Sequence, residues 1–249
     1  MQKGHVDGRY RGLVATVVLV QGLFGPFGDE RTWSRLAPHR VVAPDLLGYG
    51  EHAGTSAPVD LDAQVEHLRE LLGDEPVHFA GHSVGSVIAT LYAHRYPDNV
   101  AALVNVEGNF TLADAVWSAE LARKPAAEAE ALLTSYRADP GDWFRGTTDP
   151  YVLASARTML AFQLASTLQA TAASVVTITG APTWEPIMRE VFARTPVHLV
   201  AGQLSRQDWH VPAWALAAAA SYTELPAVGH SMMFQHPEQF GDAIAALIQ

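Results

Sequence analysis

The sequence predicts an α/β fold built on a mostly parallel, doubly wound sheet. Short apolar segments recur along the chain, and helical segments lie between most of them. The apolar segments are mostly continuous rather than alternating, which is typical of parallel strands covered on both faces. Strands that alternate with helices imply right-handed parallel crossovers. With 249 residues, of which 49% are hydrophobic, the chain is long enough to bury one large core.

Six segments are predicted as buried strands because each is short, apolar and followed by turn or polar residues. They are Thr16–Val20, Arg40–Ala43, Val77–Ala80, Ala102–Val106, Val197–Ala201 and Ser221–Leu225.

Three helices are predicted between or after these strands. The segment Leu61–Leu72 places Leu and Val on one stripe and polar residues, including Gln64, on the opposite face. Val84–Arg95 is small and apolar, as expected for a helix packed on a sheet. Pro237–Ile248 begins with proline at a first-turn position.

The alternation is interrupted from about Phe110 to Thr195, where a succession of helices is predicted. They are Thr111–Arg123, Pro125–Arg137, Pro150–Ala173 and Thr183–Ala193, with Val175–Thr179 as an extended alternative at the end of the third. Thr111 (with Asp114) and Thr183 are predicted N-terminal caps.

This interruption predicts the domain organisation. We expect residues 1–109 and 196–249 to form the core and residues 110–195 to form a helical lid (cap) between two strands. A lid over the carboxyl edge of the sheet indicates an enclosed small-molecule site. The alternative is that the segment mainly forms a homodimer interface.

The composition excludes several classes of protein. The absence of cysteine rules out a disulfide scaffold, a cysteine-ligated metal centre and a thiol nucleophile. A net charge of −10 argues against a nucleic-acid partner. The apolar run Leu13–Val20 is too short to span a bilayer, and the opening MQKGHVDGRY lacks the apolar core of a signal peptide. We therefore expect a cytoplasmic protein with no membrane partner, no metal site and no cofactor.

A candidate nucleophile lies in Gly81-His82-Ser83-Val84-Gly85, between the predicted strand Val77–Ala80 and the predicted helix Val84–Arg95. Glycines on both sides of the serine permit a turn so sharp that the nucleophile takes strained backbone angles. The helix that follows directs its first amides toward developing negative charge. The pattern alone arises by chance in roughly 7% of chains of this length, so its position between strand and helix is what indicates Ser83.

With three further segments, this turn resembles the α/β-hydrolase superfamily, in particular its lidded serine hydrolases. These segments are the Gly-rich loop 21–28, the run Val42-Ala43-Pro44-Asp45-Leu46-Leu47-Gly48-Tyr49-Gly50 and the pair Gly229-His230. The resemblance extends from Thr16 to the C terminus. Because little precedes Thr16, it implies that the opening antiparallel hairpin of the family is reduced or missing.

The resemblance implies the chain order Ser…acid…His, and therefore a late histidine as the base. His230 follows the last predicted strand on the loop that should face Ser83, and His210 is the runner-up. The base removes the proton of the serine, which is a poor nucleophile at neutral pH.

The acid departs from the family pattern. Relatives usually have Gly-x-x-Asp after the strand equivalent to Val197–Ala201, but this chain has Gly202-Gln203-Leu204-Ser205. Glu107, at the end of the preceding core strand, takes the place where some haloalkane dehalogenases have their acid. Asp208, three residues after Ser205, is the alternative. Glu107 is favoured because a charge directly after a buried strand is otherwise costly, although it could instead cap the first lid helix.

The resemblance also implies two backbone N–H groups that bind the oxyanion. Val84, directly after the nucleophile, supplies one of them. Leu23 supplies the other, with Phe24 as runner-up, from a loop that reads Gln21-Gly22 where relatives usually have His-Gly. Gln21 is expected to hydrogen-bond the loop in place of that histidine.

Serine in the turn excludes the dehalogenase and epoxide hydrolase mechanisms, which use a carboxylate nucleophile. The sequence predicts a serine hydrolase that cleaves a carboxylic ester, lactone or thioester through an acyl-enzyme on Ser83. Aromatic residues in the lid and loops indicate a small, mainly apolar acyl substrate, with Phe24, Trp117 and Met232 as pocket residues. The alternatives are a carbon–carbon bond hydrolase or perhydrolase with the same triad, a cofactor-independent lyase, and a non-catalytic ligand-binding protein.

Overall fold

The structure is a computed structural model that describes residues 14–144 and 146–248. The predictions about the opening segment, namely the reduced hairpin and the missing signal peptide, concern residues 1–13 and lie outside the described residues.

The sheet contains six parallel strands in the order β2-β1-β3-β4-β5-β6. The strands are β1 (Thr16–Val20), β2 (Arg40–Val42), β3 (Val77–His82), β4 (Val100–Val106), β5 (Val197–Gly202) and β6 (Ser221–Leu225). All six were predicted, and the bounds of β1 and β6 coincide with the prediction. This order, with β3 and β4 at the centre and helices on both sides, confirms the doubly wound α/β fold.

The helices of the described residues are α1 (Glu30–Trp33), α2 (Leu61–Leu72), α3 (Val84–Arg95), α4 (Val116–Arg123), α5 (Ala126–Ala138), α6 (Pro140–Trp143), α7 (Pro150–Ala161), α8 (Ala165–Thr179), α9 (Trp184–Arg194), α10 (Ala213–Ala218), α11 (Met232–Gln235) and α12 (Pro237–Leu247). None of them is long and apolar enough to span a membrane.

Hydrophobic clusters cover the two faces of the sheet. Val18 and Val20 of β1 belong to one cluster together with α2 and α3. Val17 and Leu19 belong to the other, together with α12. Successive side chains of a strand point to opposite faces, so both faces need apolar residues and the strands become continuous apolar runs.

The polar face predicted for α2 is partly wrong, because Gln64 is fully buried. Its amide accepts a hydrogen bond from Leu47 N and donates one to Leu47 O, both at 2.8 Å. Gln64 therefore fixes the loop after β2 instead of facing solvent.

Helices α4 to α9 lie between β4 and β5, in the segment predicted to be helical. The predicted helix Pro150–Ala173 is wrong as a single element: it is divided at 162–164, where Gln163 pairs with Tyr49 in an isolated antiparallel bridge. The extended alternative for Val175–Thr179 is also wrong, since α8 continues to Thr179.

The two predicted caps have different outcomes. Thr111 forms a capping box with Asp114: Thr111 Oγ1 accepts from Ala113 N at 3.2 Å, and Asp114 Oδ2 accepts from Thr111 N at 2.9 Å. Thr183 occupies the N-cap position of α9, but its side chain makes no capping hydrogen bond.

Candidate active site

Ser83 lies in the sharp turn between β3 and α3. Its φ of 51° and ψ of −119° are in a region that non-glycine residues rarely occupy. The Ser83 N–H donates to Val106 O at 2.9 Å, and Ser83 O accepts from Ser86 N at 2.9 Å. Neighbouring structure thus holds the strained conformation in place, as at many functional sites.

The two glycines of the turn are required by close backbone approaches. A Cβ on Gly81 would lie 2.6 Å from Gly85 O and from Ser86 Cα. A Cβ on Gly85 would overlap the carbonyl oxygens of Val20 and Gln21. Their absence of side chains allows α3 to begin directly beside the end of β1.

Glu107 follows β4 directly, with a φ of 45° and a side chain that is 3% exposed. Its Oε2 lies 2.7 Å from His230 Nδ1. Its Oε1 accepts hydrogen bonds from Gly202 N at 2.7 Å and from Ser205 Oγ at 2.6 Å. Burial opposes ionisation, but the hydrogen bonds and charge of His230, with Ser205 and Gly202, hold the pKa of Glu107 below its ordinary value.

The structure places the other predicted acid and base elsewhere. Asp208 is exposed, in a short 3-10 turn after β5. His210 pairs with Asp114, whose Oδ1 lies 3.1 Å from its Nδ1. Asp114, rather than Glu107, is the carboxylate that caps the first helical segment after β4, the 3-10 turn Leu112–Ala115 that leads into α4.

His230 is tied to Glu107 through Nδ1, and its side chain is 49% exposed. A carboxylate only accepts hydrogen bonds, so Nδ1 carries the proton and Nε2 has a free lone pair when the ring is neutral. Within the described part of the chain, no hydrogen bond joins His230 to the Ser83 hydroxyl. Catalytic hydrogen bonds are often long before substrate binds.

His82, which sequence reasoning did not select, packs directly against His230. The two ring centroids are 4.5 Å apart, and His82 Nε2 lies 2.9 Å from the backbone oxygen of His230. Burial and the nearby His230 ring hold the pKa of His82 well below its ordinary value, despite that carbonyl. His82 is therefore neutral and donates its Nε2–H to His230 O.

The same ring also reaches the loop after β1. A Cβ on Gly22 would lie 2.8 Å from His82 Nδ1, so glycine makes room for the histidine. No local pattern marks this ring. Its position follows from the pairing of β1 with β3, in which Val20 lies opposite Gly81 and the residues that follow both strands come together.

The candidate oxyanion donors follow two neighbouring strands, β1 and β3. Val84 is the first residue of α3, so its N–H has no acceptor within the helix. Leu23 is buried in the loop after β1, and its carbonyl accepts from the Tyr49 hydroxyl at 3.1 Å. The expected hydrogen bond from Gln21 to the loop is not formed: Gln21 Nε2 is buried without a partner among the described residues.

Two of the three predicted pocket residues contact each other. The centroid of the Phe24 ring lies 5.2 Å from that of Trp117 and 4.9 Å from that of Trp143. These two contacts join the loop after β1 to α4 and α6. Met232 is fully buried in the cluster that contains α12.

Two cavities lie outside this aromatic contact. One of about 220 Å³ is lined by Gln21, Phe27 and Asp45 among others. A more open one of about 450 Å³ lies between α2, α3, α8 and α9. Phe24, Trp117 and Met232 line neither of them, so their role in a pocket stays a prediction.

Comparison with known proteins gives one family match: residues 15–232 match the model of the alpha/beta hydrolase fold family. Over 81 residues, the chain is 47% identical to Lipase LipV of Mycobacterium tuberculosis. The aligned region covers 30% of this chain and 31% of that protein. Over 96 residues it is 34% identical to Lipase 1 of Psychrobacter immobilis. This aligned region covers 35% of this chain and 29% of that protein. The matched regions thus span about a third of these relatives.

Solved structures share nearly the whole fold. A thermophilic esterase from Thermogutta terrifontis superposes with a TM-score of 0.67 and 21% identity, covering 94% of this chain and 89% of that chain. MenH from S. aureus superposes with a TM-score of 0.72 and 17% identity, covering 94% and 93%. At these identities the likeness shows the fold alone.

Proposed function

The chain belongs to the alpha/beta hydrolase fold family, and we propose that it is a serine hydrolase. In this proposal it cleaves a carboxylic ester, lactone or thioester of a small, mainly apolar substrate through an acyl-enzyme on Ser83. The observation that carries the proposal is the 2.7 Å contact between Glu107 and His230, beside a serine held in a strained strand-to-helix turn. Similarity to proteins named as lipases supports ester hydrolysis.

The first step is attack of Ser83 Oγ on the substrate carbonyl. His230 Nε2 takes the hydroxyl proton, and Glu107 holds Nδ1–H and stabilises the imidazolium that forms. The carboxylate itself is not protonated, which agrees with its lowered pKa.

The tetrahedral intermediate carries its negative charge on the former carbonyl oxygen. The N–H groups of Leu23 and Val84 bind this oxygen, and each such donor typically contributes about 3 kcal/mol to transition-state stabilisation. The intermediate then expels the alcohol or thiol, which takes the proton from His230. Water repeats the cycle: His230 takes a proton from it as it attacks the acyl-enzyme. The second intermediate expels Ser83 Oγ, which takes that proton back from His230, and the acid is released.

We assign substrate selection to residues 110–195 as a cap. The contact of Phe24 with Trp117 and Trp143 supports this role, because two aromatic rings of that segment pack against the loop that carries Leu23, the proposed oxyanion donor. Apolar aromatic walls favour a neutral acyl chain over an anionic one.

Labelling with a fluorophosphonate tests the proposal, because the reagent modifies only an activated serine. We expect the wild-type protein and Ser221→Ala to be labelled and Ser83→Ala to be unlabelled. A wild-type protein that resists labelling, or Ser83→Ala that is still labelled, would disprove the proposed nucleophile.

A panel of neutral esters, lactones, thioesters and short anionic esters then tests the proposed substrate class. The proposal of a mainly apolar substrate is wrong if the anionic esters are hydrolysed best.

A further inference from the structure

Ser205 lies at the position where the resemblance implies an acid, and its hydroxyl contacts the carboxylate of Glu107. We propose that Ser205 is a positioning residue that fixes the Glu107 carboxylate for its contact with His230. This inference rests on the proposed function and adds a residue to the machinery of that same site.

The hydrogen bonds of Ser205 favour the carboxylate as its acceptor. Ser205 Oγ lies 2.6 Å from Glu107 Oε1 and 3.3 Å from Gly202 O. A hydroxyl has one proton, and the shorter contact is to a charged acceptor, which binds more strongly than a neutral carbonyl.

The two oxygens of Glu107 have separate partners. Oε1 accepts from Ser205 Oγ and from Gly202 N at 2.7 Å, and Oε2 faces His230 Nδ1. Rotation of the carboxylate would exchange the two oxygens or move both away from the imidazole. The two donors to Oε1 oppose this rotation and so keep Oε2 against His230.

The turn 202–205 also contacts the segment that leads to His230. Leu204 N donates to Val228 O at 2.9 Å, and a Cβ on Gly202 would lie 2.7 Å from Val228 O and from Gly229 O. Ser205 N donates to Gly202 O at 3.1 Å, which closes the turn. One turn therefore positions the acid and supports the loop of the base.

A purely structural role for Ser205 would be to satisfy a buried carboxylate. The two roles differ in coupling: a positioning role acts only through Glu107 and changes the contact with His230. A purely structural role lowers the free energy of unfolding but leaves the contact with His230, and therefore the rates of the folded protein, unchanged.

Rate constants of fluorophosphonate labelling and kcat/KM for an aryl ester measure this coupling. We expect Ser205→Ala to lower both by about tenfold, in line with loss of a hydrogen bond to a charged group, and Ser205→Thr to retain both within about twofold. In a Glu107→Gln background, the further loss from Ser205→Ala should be less than about twofold. Ser221→Ala is the matched control, because it removes a 2.8 Å hydrogen bond to His198, at the opposite end of β5 from this site.

A spectroscopic readout separates positioning from stability. The low-field ¹H NMR resonance of the His230 Nδ1 proton should shift in Ser205→Ala and stay in place in Ser221→Ala. If Ser205→Ala does not fold, Ser205→Cys keeps the shape with a weak donor, and the same shift and a smaller rate loss are expected.

The inference is overturned if folded Ser205→Ala is labelled at the wild-type rate with an unshifted resonance, or if its loss is equal in both Glu107 backgrounds. Failure of the proposed function looks different. In that case the wild-type protein itself is neither labelled nor active on esters, while the resonance still reports whether Ser205 holds Glu107 against His230.

Discussion

At the level of single residues, Glu107 has a geometry that an amide cannot reproduce. Its carboxylate accepts three hydrogen bonds, and all three donors point toward it. In Glu107→Gln, the amide nitrogen would face one of these donors, and the charge that stabilises the His230 imidazolium is lost. We expect kcat/KM for an aryl ester to fall by about 10²- to 10⁴-fold.

Asp208→Asn is the control for this measurement, because it makes the same chemical change on an exposed loop. It should leave kcat/KM within about twofold of wild type. If Asp208→Asn causes the large loss and Glu107→Gln does not, the assignment of the acid is wrong.

The two adjacent histidines predict a specific form of pH dependence. Protonated His230 cannot act as a base, so activity falls as the pH decreases. His82 stays neutral in this range, because burial holds its pKa well below the ordinary value. The acid limb of log kcat/KM against pH should therefore have a slope of one. A slope of two would mean that both rings take up a proton and that His82 is not the neutral donor to His230 O.

At the level of elements, Asp114 connects the 3-10 turn Leu112–Ala115, which follows β4, to the loop after β5. Its Oδ2 accepts from Phe110 N and Thr111 N at 3.0 and 2.9 Å, and its Oδ1 accepts from His210 N at 2.7 Å. Asp114→Ala leaves these N–H groups without their acceptor and should lower the free energy of unfolding by about 1–3 kcal/mol. Urea denaturation measures the change, with exposed Asp98→Ala as the control. Equal stabilities of the two variants would contradict the connecting role.

The packing of the serine turn against β1 gives a prediction about glycine. Gly85→Ala would drive a methyl group into the carbonyl oxygens of Val20 and Gln21. Because these are backbone atoms, we expect a loss of at least about 3 kcal/mol in stability, at the upper end of overpacking effects, or failure to fold. Gly54→Ala is the matched control, since a Cβ there meets nothing within 4 Å. A Gly85→Ala variant as stable as Gly54→Ala would show that the turn can open.

The same elements show what a sequence can and cannot predict. The strands were predictable because burial on both faces leaves continuous apolar runs. The division between α7 and α8 was not, because residues 151–173 contain no glycine or proline and the helix ends through the pairing of Gln163 with distant Tyr49. Tertiary contacts also bury Gln64, whose partner Leu47 lies in another segment.

The candidate site follows the same rule. Ser83, Glu107 and His230 were nominated because each follows a strand in a recognisable local pattern. Ser205 and His82 were not, since their meaning comes from Glu107 and from His230, which are 98 and 148 residues away along the chain. Local patterns therefore predict the three members of the proposed triad, whereas the residues that contact the triad from distant parts of the chain become visible only in the fold.

At the level of the whole molecule, histidines at the sheet couple folding to pH. His78 of β3 is 6% exposed, and its Nδ1 has no hydrogen-bond partner among the described residues. Burial, with His39 and His198 nearby, lowers its pKa to about 4 from the ordinary 6.5. Burial also lowers the pKa of His198, on β5. Both rings are therefore easier to protonate in the unfolded chain than in the folded protein.

This difference sets the sign of the effect on stability. Between pH 6.5 and about 4 the unfolded state binds the extra proton on His78, so the free energy of unfolding decreases as the pH falls through this window. Glu107 has a lowered pKa and acts with the same sign, but its contribution is lost below the ordinary carboxyl range. From the two pKa values, His78 alone should remove about 2 kcal/mol between pH 7 and pH 5.

Urea denaturation at pH 7, 6 and 5 tests this coupling with two matched variants. His78→Gln cannot take up the proton, so its loss of stability between pH 7 and pH 5 should be about 2 kcal/mol smaller than that of the wild-type protein. His236→Gln makes the same substitution at an exposed ring and should keep the full wild-type loss. If the curves of wild type and His78→Gln remain parallel over this range, His78 titrates in the folded protein as an ordinary imidazole. The acid sensitivity of the fold then has another origin.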